Sequence, residues 1–498
     1  MTVSSASPKA PAPPARKPRA TAAGTRPGIV LAIIVACQMM VVVDATAMSV
    51  ALPDIQAGLG FSPTGLSWVL NAYILAYGGL LLLGGRTGDV FGRRRTFTAG
   101  VLLFTVCSLL GGLAAEPWQL LAARALQGVG AAFAAPGAMS LLMTNFPEGA
   151  ARHRALAAYS TLAGLGMAIG MILSGVLTDV ASWRWVLLVN VPVGIAIVLL
   201  TPKYVADPER NPGRLDLVGA FTATAGMIAL AWGFIRVAGD GWGGAVTPAA
   251  FAAAVVLLAV FVVRQLRTDH PMVPVRLFAD RARTAGYLAM ALTMACNFSV
   301  SLFVPMLLQN VLDHSALTTG LSFLPMALVM FAMSRATPKL LPRFGAFPLI
   351  VTGLALVAAG VGWLGRVGAD ASYVPALLLP LILIGTGIGT FLMPLTGLIL
   401  GGVPPRDSGA ASGLLQTFQQ TGGALGIAVL ITVYGTTLRG AAPGTPERVA
   451  VTRGIAHAFT GGAAFVGCAV LLMTVTALLA RARGRAAARK DGEPAQSR

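Results

Sequence analysis

The chain has 498 residues, 56% hydrophobic and only 11% charged, a balance that excludes an ordinary water-soluble protein. Its 36 Lys and Arg against 18 Asp and Glu give a formal charge of +18, which on a soluble chain would point to nucleic acid. Four cysteines, Cys37, Cys107, Cys296 and Cys468, lie far apart in apolar runs, so neither a disulfide framework nor a metal spacing is implied.

A bilayer core about 30 Å thick is crossed by roughly 20 apolar residues at ~1.5 Å each. Apolar runs of that length predict an all-α polytopic membrane protein with fourteen spans: 28–50, 66–85, 96–115, 118–142, 155–178, 185–201, 215–235, 246–263, 284–308, 318–337, 347–365, 374–403, 409–434 and 457–480. Residues 1–27, rich in Pro, Ala and Lys/Arg without an acid, read as a disordered basic tail, and 481–498 as a second one. The first span lacks a small-residue cleavage site and reads as a retained helix.

Short loops rich in Lys and Arg stay in the cytoplasm. With both ends inside, the inner segments, counting Arg335 at the inner end of 318–337, collect 29 basic residues, the outer segments six, and Arg124 alone lies deep within a span. This places the chain in the cell membrane with cytoplasmic termini, its basic face toward anionic lipid headgroups and not toward nucleic acid. An even span count follows, because an odd one would put a basic tail outside. Hydropathy favours fourteen over twelve, since 217–235 and 246–263 are both long enough to cross.

None of the five lysines closes a G-x-x-x-x-G-K-[ST] loop, and G-x-S-x-G, H-E-x-x-H and His/Cys clusters are absent. An ATP-driven pump, a membrane hydrolase or a metalloenzyme is therefore disfavoured. A carrier fits better than an enzyme, with no cofactor or metal expected. Seventeen of the 18 acids lie in loops, tails or span ends, and only Asp44 is deep. A charge at the centre of a span costs at least ~2.5 kcal/mol and rarely sits there without a use. Asp44 lies six residues before the expected end of span 1 and Arg124 six after the start of span 4, each about 9 Å in from the same face. If they meet, Arg124 holds Asp44 ionised and protonation of Asp44 breaks the pair; a static registering pair is the alternative.

Several motifs now fall into order. GRTGDVFGRRR, between spans 2 and 3, carries Gly85, Asp89, Gly92, Arg93 and Arg94. LAARALQGVGAA in span 4 carries Arg124, Gln127 and Gly128, and VVVDATAMSVALPDI in span 1 carries Asp44 and Thr46. WRWVLLVNVPVG, HPMVPVRLF and SGAASGLLQTFQQTGGALG follow. Together, from about 30 to 435, they resemble the major facilitator superfamily, and within it the fourteen-spanner drug:proton antiporters. The resemblance implies a six-helix bundle over 28–201, a linker with two extra helices over 202–283, and a second bundle over 284–480. It also implies alternating access, a conformational gate at Gly85, Asp89, Gly92, Arg93 and Arg94, and proton coupling through Asp44 and Arg124. In span 5, Met171 follows Gly170 where that branch carries proline, while Gly166, Gly170 and Gly175 keep a small-residue face.

Met290, Met294 and Phe298 recur at helical spacing in span 9, with Gln309 beyond; they either line a substrate cavity or pack the core. Trp68, Asn71, Tyr73 and Gln416 are substrate contacts or interhelical hydrogen-bond formers. The expected activity is proton-coupled export of amphiphilic organic compounds by a monomer. Symport or facilitated passage of a small organic solute, and a non-transporting receptor or scaffold, stay open.

Overall fold

Backbone N–H and C=O groups in lipid have no water to bond, so each spanning segment must satisfy its own. The computed structural model describes residues 26–62, 65–146, 150–206, 216–241, 244, 246–268, 275–368, 371–403, 408–442 and 444–491. These form helices α1 (Pro27–Leu59), α2 (Ser67–Phe91), α3 (Arg93–Gly112), α4 (Pro117–Asn145), α5 (Ala150–Val180), α6 (Arg184–Leu188), α7 (Asn190–Tyr204), α8 (Leu217–Asp240) and α9 (Val246–Arg267). After a short 3₁₀ turn come α10 (Arg281–Asn310), α11 (Ala316–Ser322), α12 (Leu324–Phe344), α13 (Ala346–Leu364), α14 (Tyr373–Ala376), α15 (Leu378–Leu400), α16 (Ser408–Arg439) and α17 (Glu447–Asp491). Among the described residues there is no strand.

Among the described residues, twelve segments are long and apolar enough to cross a membrane, counting α6 with α7 and α11 with α12 as one each. Shorter apolar stretches, Ser67–Leu81 in α2 and Ile169–Val180 in α5, fall where spans 2 and 5 are expected, compatible with the fourteen-span layout. The tail at 1–25 lies outside the described residues.

The main departure is at α1. Hydropathy ends the span near Val50, but the helix runs on through Pro53 to Leu59, where Gly60 takes a left-handed φ of 71° and its N–H closes on Gln56 O. Helical hydrogen bonding does not stop where lipophilicity stops. Asp44 therefore sits near the middle of a helix about 50 Å long, not one and a half turns from its end. At the other extreme, α17 continues past 480 to Asp491, so part of the second basic tail is helical.

The two halves repeat one packing scheme. α3 packs on α4, α2 on α4, α1 on α5 and α3 on α7; in the second half α13 packs on α15, α12 on α15, α10 on α16 and α13 on α17. Glycines let the central crossings close. A Cβ on Gly130 would stand 2.7 Å from the Phe104 amide nitrogen and 2.8 Å from the Gly100 carbonyl, and one on Gly353 would stand 2.8 Å from the Gly387 carbonyl. Without a hydrophobic drive between helices in lipid, such backbone contact supplies the packing. The halves meet where α2 faces α16, α5 faces α11 and α12, and α1 faces α10.

α8 lies over the α2/α16 seam, and α9 packs on α8. Asp216 fastens this hairpin: it accepts from Gly219 N at 2.9 Å as the N-cap of α8, from Arg264 Nε at 2.5 Å and from Gln265 Nε2 at 2.9 Å on α9. Burial raises the Asp216 pKa, but these donors outweigh it and hold the carboxyl below its usual value. The outer face of α9 is aliphatic and exposed at Val255, Val256, Val260, Val262 and Val263, as a lipid-facing surface must be. The protein is a multi-pass membrane protein. Gly130→Val is expected to force α3 from α4 and cost about 1–3 kcal/mol, read as a lower unfolding temperature in detergent. Gly353→Val should do the same to α13 and α15; wild-type stability in both would contradict the close crossings.

Candidate functional site

The deep acid and the deep base do meet. Arg124 Nη1 on α4 lies 2.5 Å from Asp44 Oδ2 on α1, and both side chains are fully buried. Around the pair the hydrogen bonds form a closed set. Gln127, one turn on from Arg124, accepts from Arg124 Nη1 at 3.0 Å and donates through Nε2 to Asp44 Oδ1 at 3.3 Å and to Ser108 Oγ at 2.7 Å. Asn190 Nδ2 donates to the same Asp44 oxygen at 3.0 Å, and Arg124 Nε donates to the Val69 carbonyl at 3.1 Å. The Tyr73 ring lies under the guanidinium, 4.4 Å from ring centre to Cζ. Five helices, α1, α2, α3, α4 and α7, thus converge on one carboxylate.

Local structure explains the convergence. Arg124 and Gln127 are three apart, so both project to one face of α4. Gly128 lets α4 close on α2, since a Cβ there would collide with the Tyr73 carbonyl. α6 passes into α7 through Val189, which keeps helical angles (φ −60°, ψ −25°) and donates to the Trp185 carbonyl at 3.0 Å, and Asn190 enters the buried network as the first residue of α7. The set is not saturated. Arg124 Nη2, the Tyr73 hydroxyl and both amide atoms of Asn71 are buried without a hydrogen-bond partner.

The α2–α3 motif lies at the other end of α2, away from the pair. Gly92 carries φ 106° and ψ 126°, a turn that side chains resist, between the end of α2 and the start of α3. Arg94 Nη1 donates to the Pro202 and Val205 carbonyls at 3.3 and 3.1 Å, tying α3 to the C-terminal end of α7. Arg93 also makes interactions with its surroundings. The close approach to α4 falls on Gly84, against the Ala132 carbonyl, and Gly85 has only ordinary contact with Pro136. The Asp89 side chain lies outside the described residues. In α5, Gly166 and Gly170 face α1, whereas Gly175 faces the Ala316 carbonyl across the seam.

The other candidates go to separate neighbours. Trp68 packs on Trp232 of α8 at 5.5 Å between ring centres. Met290 is fully buried, Met294 half-buried, and Phe298 packs on Gly423. Gln309 Nε2 donates to the Val50 carbonyl at 3.0 Å, and Gln416 is exposed. Only Tyr73 joins the ion-pair network. Ser108 and Asn190 were not among the sequence candidates. Asn190 was findable as a polar residue inside the apolar run WRWVLLVNVPVG; Ser108 carries no sequence signal.

Paired helical halves around a buried ion pair define a polytopic membrane carrier. The sequence model described as Major Facilitator Superfamily matches residues 34–427, and the chain belongs to that superfamily. It is 43% identical over 457 residues to the "Cephamycin export protein CmcT" of Amycolatopsis lactamdurans, covering 90% of this chain and 93% of that protein. It is 40% identical over 460 residues to the "Puromycin resistance protein pur8" of Streptomyces alboniger, covering 90% of each. It is 33% identical over 471 residues to the "Multidrug efflux pump LfrA" of Mycolicibacterium smegmatis, covering 94% and 92%. Among solved structures, a bacterial homolog to the human lysosomal transporter Spinster, inward-facing and unoccupied, superposes with TM-score 0.66 at 17% identity over 91% of this chain and 97% of that one, a likeness of fold.

Removing one partner of a buried pair leaves the other charge uncompensated. Arg124→Met is expected to cost about 3–5 kcal/mol in micelle unfolding, and Asp44→Leu combined with Arg124→Met to recover most of it. Additive losses in the double variant would show that the two do not act as a pair.

Proposed function

We propose that this protein is a proton-coupled exporter of amphiphilic organic compounds, antibiotics among them, working by alternating access across the cell membrane with both termini in the cytoplasm. One observation carries the reading: the single deep carboxylate, Asp44, is held by Arg124, Gln127 and Asn190 and has no exposure. Its relatives' export and resistance functions support the substrate class, and the sided distribution of basic residues supports the orientation.

In this mechanism an ionised Asp44 accepts from three donors, Arg124, Gln127 and Asn190, and its negative charge balances Arg124. A proton arriving from outside neutralises Asp44 and weakens the charge-assisted bonds. Arg124 keeps Gln127, the Val69 carbonyl and the Tyr73 ring, so the released guanidinium is not stranded. The bundle carrying α1, α4 and α7 then has a different internal balance in its two protonation states. Substrate from inside and proton from outside favour opposite states, and each inward proton supplies ~2.3 kcal/mol per 100 mV of membrane potential. The half-buried methionines and the unpartnered Asn71 amide suit ligands with broad apolar surface and few polar groups.

A second reading, symport or facilitated passage of a small solute, is favoured by Met171. α5 runs without a proline from Ala150 to Val180, so it lacks the helix break that the antiporter motif carries. The sign of proton flux during transport separates the two. Asp44→Asn in proteoliposomes is expected to insert normally, retain substrate exchange without a gradient and reduce gradient-driven accumulation to that of empty liposomes. Undiminished accumulation would overturn the coupling role of Asp44. A growth-inhibition panel in cells lacking their own exporters identifies the compounds.

A further inference from the structure

The two halves are tied at the end that carries Gly60. Gln309 of α10 reaches the Val50 carbonyl of α1, and the first turn of α11 docks on the last turns of α5. Two glycines bring these backbones together: Gly175 of α5 faces the Ala316 carbonyl, and Gly320 of α11 faces the Met171 carbonyl. The first N–H groups of a helix lack partners within it. In α11, Ser315 caps its own half by accepting from Thr318 N at 3.2 Å, whereas the Leu317 N–H is taken from the opposite half by Asp179 Oδ2 at 3.0 Å. Asp179 is exposed, so it exchanges protons with the medium while holding this contact. Thr178 and Thr319, on the same two helices, keep buried hydroxyls with no partner, so the seam is incompletely bonded on both sides.

We propose that Asp179 is a second proton-responsive residue of the transport cycle: its ionised carboxylate latches α5 to α11 and closes the outer face, and its protonation releases that face to open. The proposal rests on the alternating-access reading above, with the Gly60 end outside. The physical step is small and local. A carboxylate accepting a backbone N–H at a helix start gains from charge and from the helix dipole, and both gains are lost on protonation. The other charged groups of the neighbouring elements are accounted for. Asp54 of α1 lies within electrostatic range of Asp179. Arg184 of α6 donates to the Ala114 carbonyl and lies over the Trp183 ring, and Glu116 before α4 is engaged in its own capping box. α11 carries no charged side chain, and those of α12, Arg335, Lys339 and Arg343, lie in its second half toward the opposite end. In the turn before α11, Asp313 lies 3.9 Å from Arg448, and His314 is the competing titratable group.

Spin labels at Ala57 and Ala442, exposed on opposite halves at the Gly60 end, read the opening directly in lipid nanodiscs, with the exposed Cys468 replaced by Ser. In the otherwise unaltered protein the open-to-closed ratio is expected to rise about threefold to tenfold on acidification. Asp179→Asn should show the raised ratio already at neutral pH and no further response. Leu317→Pro, which deletes the donor in the first helical turn where proline is tolerated, should behave alike while leaving the carboxylate in place. His314→Gln should keep the full response. A response that survives Asp179→Asn, or one with an imidazole midpoint that disappears in His314→Gln, would overturn the latch. If the labels never separate at any pH or with substrate, alternating access itself fails, whereas separation insensitive to Asp179→Asn removes only the latch.

Discussion

A carboxylate buried in the membrane-spanning part of a protein must be partnered on every side, and around Asp44 that constraint organises half of the molecule. Arg124 supplies the charge, Gln127 and Asn190 supply neutral donors, and Ser108 orients Gln127. Arg124 and Gln127 come from one face of α4, Asn190 from α7 and Ser108 from α3, so the network specifies how α1, α3, α4 and α7 stand against one another. The close approach at Gly128 is the backbone adjustment that brings α4 and α2 within reach of each other. Burying such a pair is energetically poor compared with apolar packing of the same volume. A buried pair lined by neutral polar partners fits a group whose charge has to change.

The remainder of the fold separates what is rigid from what can part. Within each half, glycine crossings put helix backbones in contact, at Gly100 with Gly130 and at Gly353 with Gly387. Packed backbones shift as units and do not deform continuously. Between the halves the Gly60 end instead relies on a few discrete bonds, those of Gln309 and Asp179, beside two glycine–carbonyl contacts. A boundary of this kind suits rigid-body rocking, because few interactions need to be exchanged.

The basic residues at the Gly92 end have a structural use beyond orientation. Arg94 bonds the terminal carbonyls of α7, and in the second half Arg283 bonds the Ile399 and Gly401 carbonyls at 2.9 and 3.0 Å. Both satisfy helix-end acceptors that lipid could not, and both complement the negative end of the helix dipole. A basic residue that biases sidedness in sequence thus also fastens a helix end in the folded protein.

From sequence alone the helical class, the approximate span positions, the family and the identity of the deep acid and base were legible. Each of these depends on local composition or on motif spacing, since a lipid environment penalises charge residue by residue. α1 outlasts the apolar run that ends near Val50, because hydropathy reports lipid exposure while helix length depends on backbone bonding through Pro53 to Gly60. What the tertiary structure alone decided was partnership: that Asn190 and Ser108 complete the Asp44 network, that Gly84 meets α4 more closely than Gly85 does, and that Asp179 reaches Leu317. Such contacts join residues far apart in the chain, and no periodicity in either partner encodes them. Sequence determined which charges had to be accommodated; the packing of five helices decided by what.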